Sequence, residues 1–158
     1  MDIFFASLLL GIVGQPPTPC AWPAILVHVT GLKDRAGTLR LRTFGGKYTT
    51  YFDKNRALHR LVTAIPPTGP IEICMPVPGQ GRYAIDVRHD SNGDGKTDIS
   101  DGAGISGNPD GTLFDFLFRI RPPAHKVQIV VGNEVVRTSI VVKYLSGGRF
   151  EAVSQPAS

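Results

Sequence analysis

The sequence predicts an all-β protein, a single β-sandwich of about seven strands. Short segments place apolar residues at every second position, as in 82–89, where Tyr83, Ile85 and Val87 share one face. Turns rich in glycine and proline separate these segments, and the 158 residues include 18 glycines and 13 prolines. No segment has the long 3.6-residue apolar period that a crossover helix needs, so the pattern favours a sandwich over an α/β fold.

The strands follow from this alternation in chain order. They are predicted at residues 24–30, 38–44, 61–65, 71–77, 82–89, 113–120, 126–131 and 135–144. Residues 47–60 fit either a short helix capped by Asp53 or an irregular excursion. Phe114, Phe116 and Phe118 form an aromatic stripe on the sixth strand, which we expect to be part of the core, with a platform for an apolar ligand as the alternative.

The clearest local motif is an acidic loop at residues 90–101, directly after strand 82–89. Its oxygen donors have the spacing of an EF-hand-type calcium loop, in which alternate side chains point inward and the seventh residue contributes its carbonyl. Gly95 occupies the position of the sharp turn. The predicted Ca²⁺ ligands are Asp90, Asn92, Asp94, the Lys96 carbonyl, Asp98 and Asp101.

Two features of this region allow other interpretations. The twelfth loop position is normally a bidentate Glu, and the shorter Asp101 predicts weaker calcium affinity. Asn-Gly and Asp-Gly pairs also form ordinary hairpin turns, so a plain polar loop is the alternative. The glycines of 102–107 fit the spacing of a dinucleotide fingerprint. That motif requires a following helix in a βαβ unit, and none is predicted, so we expect these glycines to let the backbone wrap the metal loop or to make tight turns.

The termini and the cysteines indicate export. Residues 1–14 are predicted as a signal segment with an apolar core at 3–13, 15–23 as a proline-rich linker, 24–150 as the sandwich and 151–158 as a flexible tail. A buried N-terminal strand is the alternative for the apolar segment. Cys20 and Cys74 are expected to form a disulfide in an oxidising compartment, with two free thiols as the alternative. The predicted location is periplasmic or secreted.

Charge and residue types exclude several function classes. The net charge is +4 and the pI about 9.3, but the basic residues are scattered, so nucleic-acid binding is not predicted. No stretch reaches the length of a membrane span. No catalytic residues are assigned, because the four histidines match no zinc or nucleophile pattern. His89 beside Asp90 is interpreted as a strand-end residue that orients or shields the loop.

Three stretches, at residues 29–40, 78–98 and 141–144, resemble the bacterial secreted proteins of the DUF2141 family. The most specific part is Arg82-Tyr-Ala followed by His89-Asp-Ser-Asn-Gly-Asp-Gly. This resemblance covers roughly residues 24–145. It implies a prealbumin-like (transthyretin-like) Greek-key sandwich and export, and it implies no particular activity.

These observations together predict an exported calcium-binding module with a binding or interaction role at the cell envelope. The expected partner is an envelope protein or a glycan. Two other functions remain open at the level of sequence. One is an envelope enzyme, acting on glycans, in which calcium is structural. The other is a carrier that holds a small apolar ligand against the phenylalanine stripe.

Overall fold

The computed structural model of the chain describes residues 20–112, 115, 119–154 and 156–158. Within these residues the protein is all-β, with eleven strands, one 3-10 turn at Tyr48–Thr50, one short helix, α1, at Ala124–Val127, and a further helical residue at Asp115. Seven strands have four residues or more: β1 Ala24–Thr30, β2 Thr38–Gly45, β3 His59–Ala64, β4 Ile71–Pro76, β5 Gly81–Asp90, β6 Gly102–Ile105 and β9 Val136–Val141. The shorter ones are β7 Gly111–Thr112, β8 Ile129–Val131, β10 Tyr144–Ser146 and β11 Arg149–Glu151.

The strands form two larger sheets and one small one. The first sheet has the order β4-β1-β9, in which β1 is antiparallel to β4 and parallel to β9. The second has the antiparallel order β3-β2-β5-β6, and β8 pairs with the opposite end of β5. The small sheet has the order β10-β11-β7. Strand β5 is therefore central, and its last residues lead directly into the acidic loop.

One hydrophobic cluster contains residues from both larger sheets. The cluster forms because apolar and polar residues alternate along the strands, and every second side chain of a strand faces the same side of the sheet. Ile25, Val27 and Val29 come from β1, and Leu39 and Leu41 come from β2. Its other fully or nearly fully buried members are Leu32, Ile65, Ile71, Met75, Val77, Tyr83, Ile85, Val87, Ile129, Val131, Ile140 and Val142. Burial of this apolar surface is the main source of stability for the fold.

The far face of the second sheet has a smaller cluster of its own. Phe44, Tyr51, Ala84 and Val127 are buried there. The segment between β2 and β3 covers this face as an irregular excursion with a 3-10 turn, which settles the choice left open for residues 47–60. The Tyr51 hydroxyl donates to the Arg82 carbonyl at 3.2 Å. The alternation of side chains along β5 places Ala84 on the outer face of the sheet. The segment that covers it has no regular spacing of apolar residues.

Two predicted strands are corrected by the structure. The predicted strand at 126–131 begins as helix α1 and is extended only at Ile129–Val131. Pro123 immediately before α1 favours a helix start, which the alternation of the apolar residues did not show. The predicted strand at 113–120 is helical at Asp115, where Thr112 and Asp115 exchange the hydrogen bonds of a capping box. The stripe of Phe114, Phe116 and Phe118 lies outside the described residues.

The predicted disulfide between Cys20 and Cys74 is present, with a Cα–Cα distance of 5.3 Å. It ties the segment before β1 to β4. At the other end of the chain, the Ala157 N–H donates to the Leu32 carbonyl at 2.7 Å. Among the described residues no helix is long and apolar enough to cross a membrane. The predicted signal segment at 1–14 lies outside them.

Candidate functional site

The acidic loop connects two strands that are paired with each other. Strand β5 ends at Asp90, β6 begins at Gly102, and His89 lies opposite Gly102 in the antiparallel register. All six predicted ligands lie between or at these strand ends. The sheet therefore fixes both ends of the loop, while most of the residues between them are exposed.

The Asp90 side chain holds the first half of the loop. It is buried at the end of β5, and its two carboxylate oxygens accept from the backbone N–H groups of Gly93 and Gly95, each at 2.8 Å. Gly93 and Gly95 both have positive φ, at 69° and 74°, which a glycine adopts without strain. These two bonds wrap the chain tightly around the Asp90 side chain.

Three further side chains repeat one local pattern. Each uses a side-chain oxygen to accept from the backbone N–H two residues later, which is an Asx turn. The distances are 3.2 Å for Asn92, 2.8 Å for Asp94 and 2.7 Å for Asp98. The Ser100 hydroxyl also donates to Asp98, and these hydrogen bonds lower the pKa of the Asp98 carboxyl. Alternate oxygen donors of the loop thus have the same local geometry, while the side chain of Lys96 is exposed.

Asp101 differs from the other carboxylates because it is only 3% exposed. One of its oxygens, Oδ2, lies 3.5 Å from Arg88 Nη1 and accepts from the Asp98 N–H at 3.3 Å. The other, Oδ1, is buried with no hydrogen-bond partner among the described residues. Burial raises the pKa of Asp101, and the nearby carboxylates of Asp98 and Asp90 add to the rise. A buried unpaired oxygen of this kind costs about 1–3 kcal/mol.

The predicted calcium ligands therefore lie in one loop, but their oxygen atoms do not surround a common metal position. Within the part of the chain that the structure describes, no three His, Cys, Asp or Glu side chains are grouped so that they could hold a metal ion. The predicted set also includes the Asn92 amide and the Lys96 carbonyl. Carboxylates repel one another without a cation, so a metal-bound loop would have to draw them inward. Hard anionic oxygens such as Asp101 Oδ1 are the donors that Ca²⁺ prefers.

His89 anchors the loop from inside the protein. Its ring is completely buried, with Nδ1 2.5 Å from the Tyr144 hydroxyl and Nε2 2.8 Å from the Ala36 carbonyl. Because a carbonyl can only accept, we assign the ring proton to Nε2 and the Tyr144 hydroxyl as the donor to Nδ1. The interpretation of His89 as a strand-end residue is consistent with this position, but its partners are Tyr144 and Ala36 rather than the neighbouring Asp90.

Tyr144 and Lys33 complete this anchor, and no pattern in the sequence indicated that either residue belongs to the site. The Tyr144 oxygen accepts from the Lys33 N–H at 3.2 Å, and burial raises the pKa of Tyr144 to about 12. The Lys33 ammonium group donates to the Ser100 carbonyl at 3.1 Å and lies 5.1 Å from the centre of the Tyr144 ring. Lys33 is 67 residues from Ser100, so no local pattern could have linked them.

Two of the glycines of 102–107 serve close packing. A Cβ at Gly102 would lie 2.4 Å from Val142 Cγ1, and one at Gly104 would lie 2.7 Å from the Val141 carbonyl oxygen. Both glycines are in β6, which packs against the end of β9 and the residues that follow it. They therefore allow two backbones to approach each other beside the loop. Gly107, with a φ of 80°, lies in the turn after β6, as the sequence suggested.

Comparison with known proteins supports the resemblance seen in the sequence. The family model described as "Uncharacterized protein conserved in bacteria (DUF2141)" matches residues 27–139, which include most of β1, all of β2 to β6, the acidic loop and most of β9. No curated protein and no solved structure matches the chain. Because the match spans more than half of the chain, this protein belongs to the DUF2141 family of bacterial proteins.

Proposed function

We propose that this protein is an exported calcium-binding β-sandwich module with a binding or interaction role at the cell envelope. Calcium would bind in the acidic loop at Asp90, Asn92, Asp94, Asp98 and Asp101, together with the carbonyl of Lys96. The observation that carries the proposal is the buried and unpartnered Oδ1 of Asp101, because a cation would supply the partner it lacks.

The turn geometry supports an EF-hand-like loop. Asp90 accepts hydrogen bonds from the backbone N–H groups of Gly93 and Gly95, and Asx turns follow at Asn92 and Asp94. Few side-chain oxygens are therefore used to fix the path of the backbone. Each oxygen keeps further lone pairs for a metal. A loop built in this way can contract around Ca²⁺, which accepts six to eight oxygens in flexible geometry. Mg²⁺ demands near-ideal octahedral geometry and should bind more weakly.

The strand order supports a Greek-key sandwich of the prealbumin type. The chain passes from β1 in the first sheet to β2 and β3 in the second, returns to β4 beside β1, and crosses again to β5. Strand β9 then closes the first sheet in parallel to β1. The shared hydrophobic cluster supports face-to-face packing of the two sheets.

Export is supported by the disulfide between Cys20 and Cys74, because such bonds persist in oxidising compartments. The calcium proposal agrees with this location. The short Asp101 predicts a dissociation constant on the order of 10⁻⁴ M, which is in the range of extracellular modules and too weak for the cytosol. Sequencing the N-terminus of the mature protein from cell fractions tests export, and a cytosolic protein that retains Met1 would contradict it.

Thermal unfolding tests calcium binding directly. At a hundredfold excess of Ca²⁺ over its dissociation constant, linkage adds about 2.7 kcal/mol to the free energy of unfolding. For a chain of this size that raises Tm by roughly 5–10 °C relative to chelator, with a much smaller effect of Mg²⁺. Asp94→Ala should remove most of the Ca²⁺ response and leave the metal-free protein folded or slightly more stable, since one repelling charge is lost.

The matched control for this experiment is Glu134→Ala. It removes one exposed carboxylate outside the loop and should keep the full response to Ca²⁺. Identical melting curves of the wild type in chelator and in millimolar Ca²⁺ would mean that the loop is only a turn.

A further inference from the structure

The outer face of the second sheet carries a concentration of arginines next to its central strands. Arg40 and Arg42 on β2, Arg88 on β5 and Arg60 on β3 alternate with core residues and therefore point away from the shared cluster. Arg42 lies 5.3 Å from the Phe44 ring, which places it on the same side as the smaller cluster. We call these four residues the arginine face.

Among the described residues, Arg42 is the only one of these four with a fully paired guanidinium group. It lies directly opposite Asp86 in the register and binds it through a fork, in which Nε donates to Oδ1 at 3.0 Å and Nη2 donates to Oδ2. A fork of this kind is the strongest geometry for an arginine and a carboxylate. The charge of Asp86 is therefore already used by Arg42.

Arg40 and Arg88 are not paired in this way. They lie directly opposite each other in the β2–β5 register, and like charges at such positions destabilise a sheet. Arg88 has a single long contact of 3.5 Å with Asp101. No ion pair among the described residues includes Arg40. The pKa of Arg40 is lowered by burial and by the neighbouring charges of Arg42 and Arg88.

Arg40 and Arg88 also lack hydrogen-bond acceptors for part of their guanidinium groups. The Nε atoms of Arg40 and Arg88 are both buried, and neither has a hydrogen-bond partner among the residues that the structure describes. A guanidinium presents Nε–H and Nη–H along one edge, which matches the two oxygens of a carboxylate, phosphate or sulfate group. Two adjacent guanidiniums with unused edges therefore have both the charge and the donors to bind an oxyanion after a small rotation of their side chains.

We infer that Arg40 and Arg88 form a binding site for an oxyanion, a carboxylate, phosphate or sulfate group of a small molecule or sugar acid. Arg60, which lies opposite Arg42 at the edge of the sheet, adds long-range attraction. The exposed side chain of Val62, opposite Arg40, provides apolar surface beside the charge. This site lies next to the proposed calcium site, because Arg88 also pairs with the predicted ligand Asp101. Among the described residues no ion pair joins Arg40 to a predicted calcium ligand.

Thermal melts in different sodium salts test this site. The salts are sulfate, phosphate and acetate, each compared with chloride at equal ionic strength. The buffer is freed of calcium with a chelating resin, because a soluble chelator is itself a polycarboxylate. With a dissociation constant on the order of 1 mM, about 50 mM of a bound oxyanion raises Tm by roughly 5 °C. The salt with the largest effect identifies the chemical group that the site prefers.

The variants separate a specific site from a general salt effect. Arg40→Gln should lose the additional stabilisation, and Arg40→Lys should retain less than half of it, because an ammonium group lacks the fork. The matched control is Arg137→Gln, which removes an exposed arginine on the other sheet and should respond like the wild type. Equal responses of Arg40→Gln and the wild type would overturn the inference.

A direct measurement does not depend on the folding of any variant. In ¹⁵N NMR spectra, the Nε–H signal of Arg40 should shift in a saturable way as sulfate is added to the wild-type protein. A signal that does not move, or that moves linearly without saturation, would also overturn the inference. Because the calcium-free protein is used throughout, a failure here leaves the calcium proposal untouched, and a failure to bind Ca²⁺ leaves this one untouched.

Discussion

The Tyr144 hydroxyl joins three separate parts of the chain at a single atom. It donates to His89 at the end of β5 and accepts from the Lys33 N–H in the turn before β2. Burial raises the pKa of Tyr144 to about 12, which extends into the alkaline range the pH at which this hydroxyl stays protonated and can donate. One side chain thus holds the end of β5, from which the acidic loop starts.

We predict that Tyr144→Phe destabilises the protein at pH 7 by about 1–3 kcal/mol, because the buried Nδ1 of His89 loses its donor. The effect should depend on pH in the alkaline range. The folded pKa of about 12 exceeds the ordinary value of about 10, so the contribution of Tyr144 is complete below pH 10 and is lost as the pH rises towards 12. Urea unfolding of both proteins from pH 8 to 11 should show the difference narrowing above pH 10. Parallel profiles would contradict this account.

At the scale of the element, the open edge of β9 is closed by one side chain. Asn108 donates from its amide to the Ser139 carbonyl at 3.0 Å and accepts from the Val141 N–H at 2.8 Å. The amide thus occupies the position of a peptide group of a further strand. Asn108 has a φ of 52°, a conformation that asparagine tolerates better than most residues. This contact protects a strand edge that could otherwise pair with another chain.

Replacing Asn108 with glycine tests this protection without straining the backbone. Asn108→Gly removes both hydrogen bonds and should lower the free energy of unfolding by about 1–2 kcal/mol. Light scattering during incubation near Tm should show faster aggregation than in the wild type. A matched change, Asn133→Gly in an exposed turn, should have little effect on either measurement. Equal aggregation of both variants would mean that the edge of β9 needs no cap.

The sequence predicts the strands well where apolar and polar residues alternate along the chain. Strand β1 has the predicted bounds, β2 and β4 differ from their predictions by one residue at one end, and β5 is longer by one residue at each end. The excursion after β2 and the region around α1 have no such alternation of apolar residues. Their conformation depends on long-range contacts, such as the hydrogen bond from Arg121 Nε to the Tyr51 carbonyl, 70 residues away. In the acidic loop the spacing predicted a tightly wound run of oxygen donors but not their Asx turns. The ion pair of Asp101 with Arg88 depends on the sheet register, which the sequence did not show.

At the scale of the whole molecule, the disulfide joins the first described residue to the edge strand of a sheet. Cys20 and Cys74 are 54 residues apart, and the bond holds Cys20, just before β1, against β4. Because Leu26 lies opposite Cys74, the cross-link also strengthens the pairing of β1 with β4. Its stabilising effect acts mainly through the unfolded chain, whose conformational freedom it restricts.

We predict that the double variant with Cys20→Ser and Cys74→Ser loses about 4 kcal/mol of stability, the value that the chain-entropy model gives for a loop of this length. Urea unfolding of the non-reduced wild type and the variant measures the difference. The wild type after reduction is the control and should match the variant. Mass spectrometry after alkylation of the native, non-reduced protein should find no free thiols, and two modified cysteines would refute the bond.

The parallel pairing of β1 with β9 has a consequence for synthesis. Trp22 Nε1, just before β1, donates to the Gly132 carbonyl, 110 positions later in the chain. A ribosome adding 5–20 residues per second needs roughly 5–20 s to make that interval. During this time β1 can pair with β4, but its other edge has no partner, and the first sheet is incomplete until the chain is nearly finished. Late closure of this kind leaves an unpaired edge of β1 during synthesis, and β1 is the segment that a chaperone would have to protect from pairing with another chain.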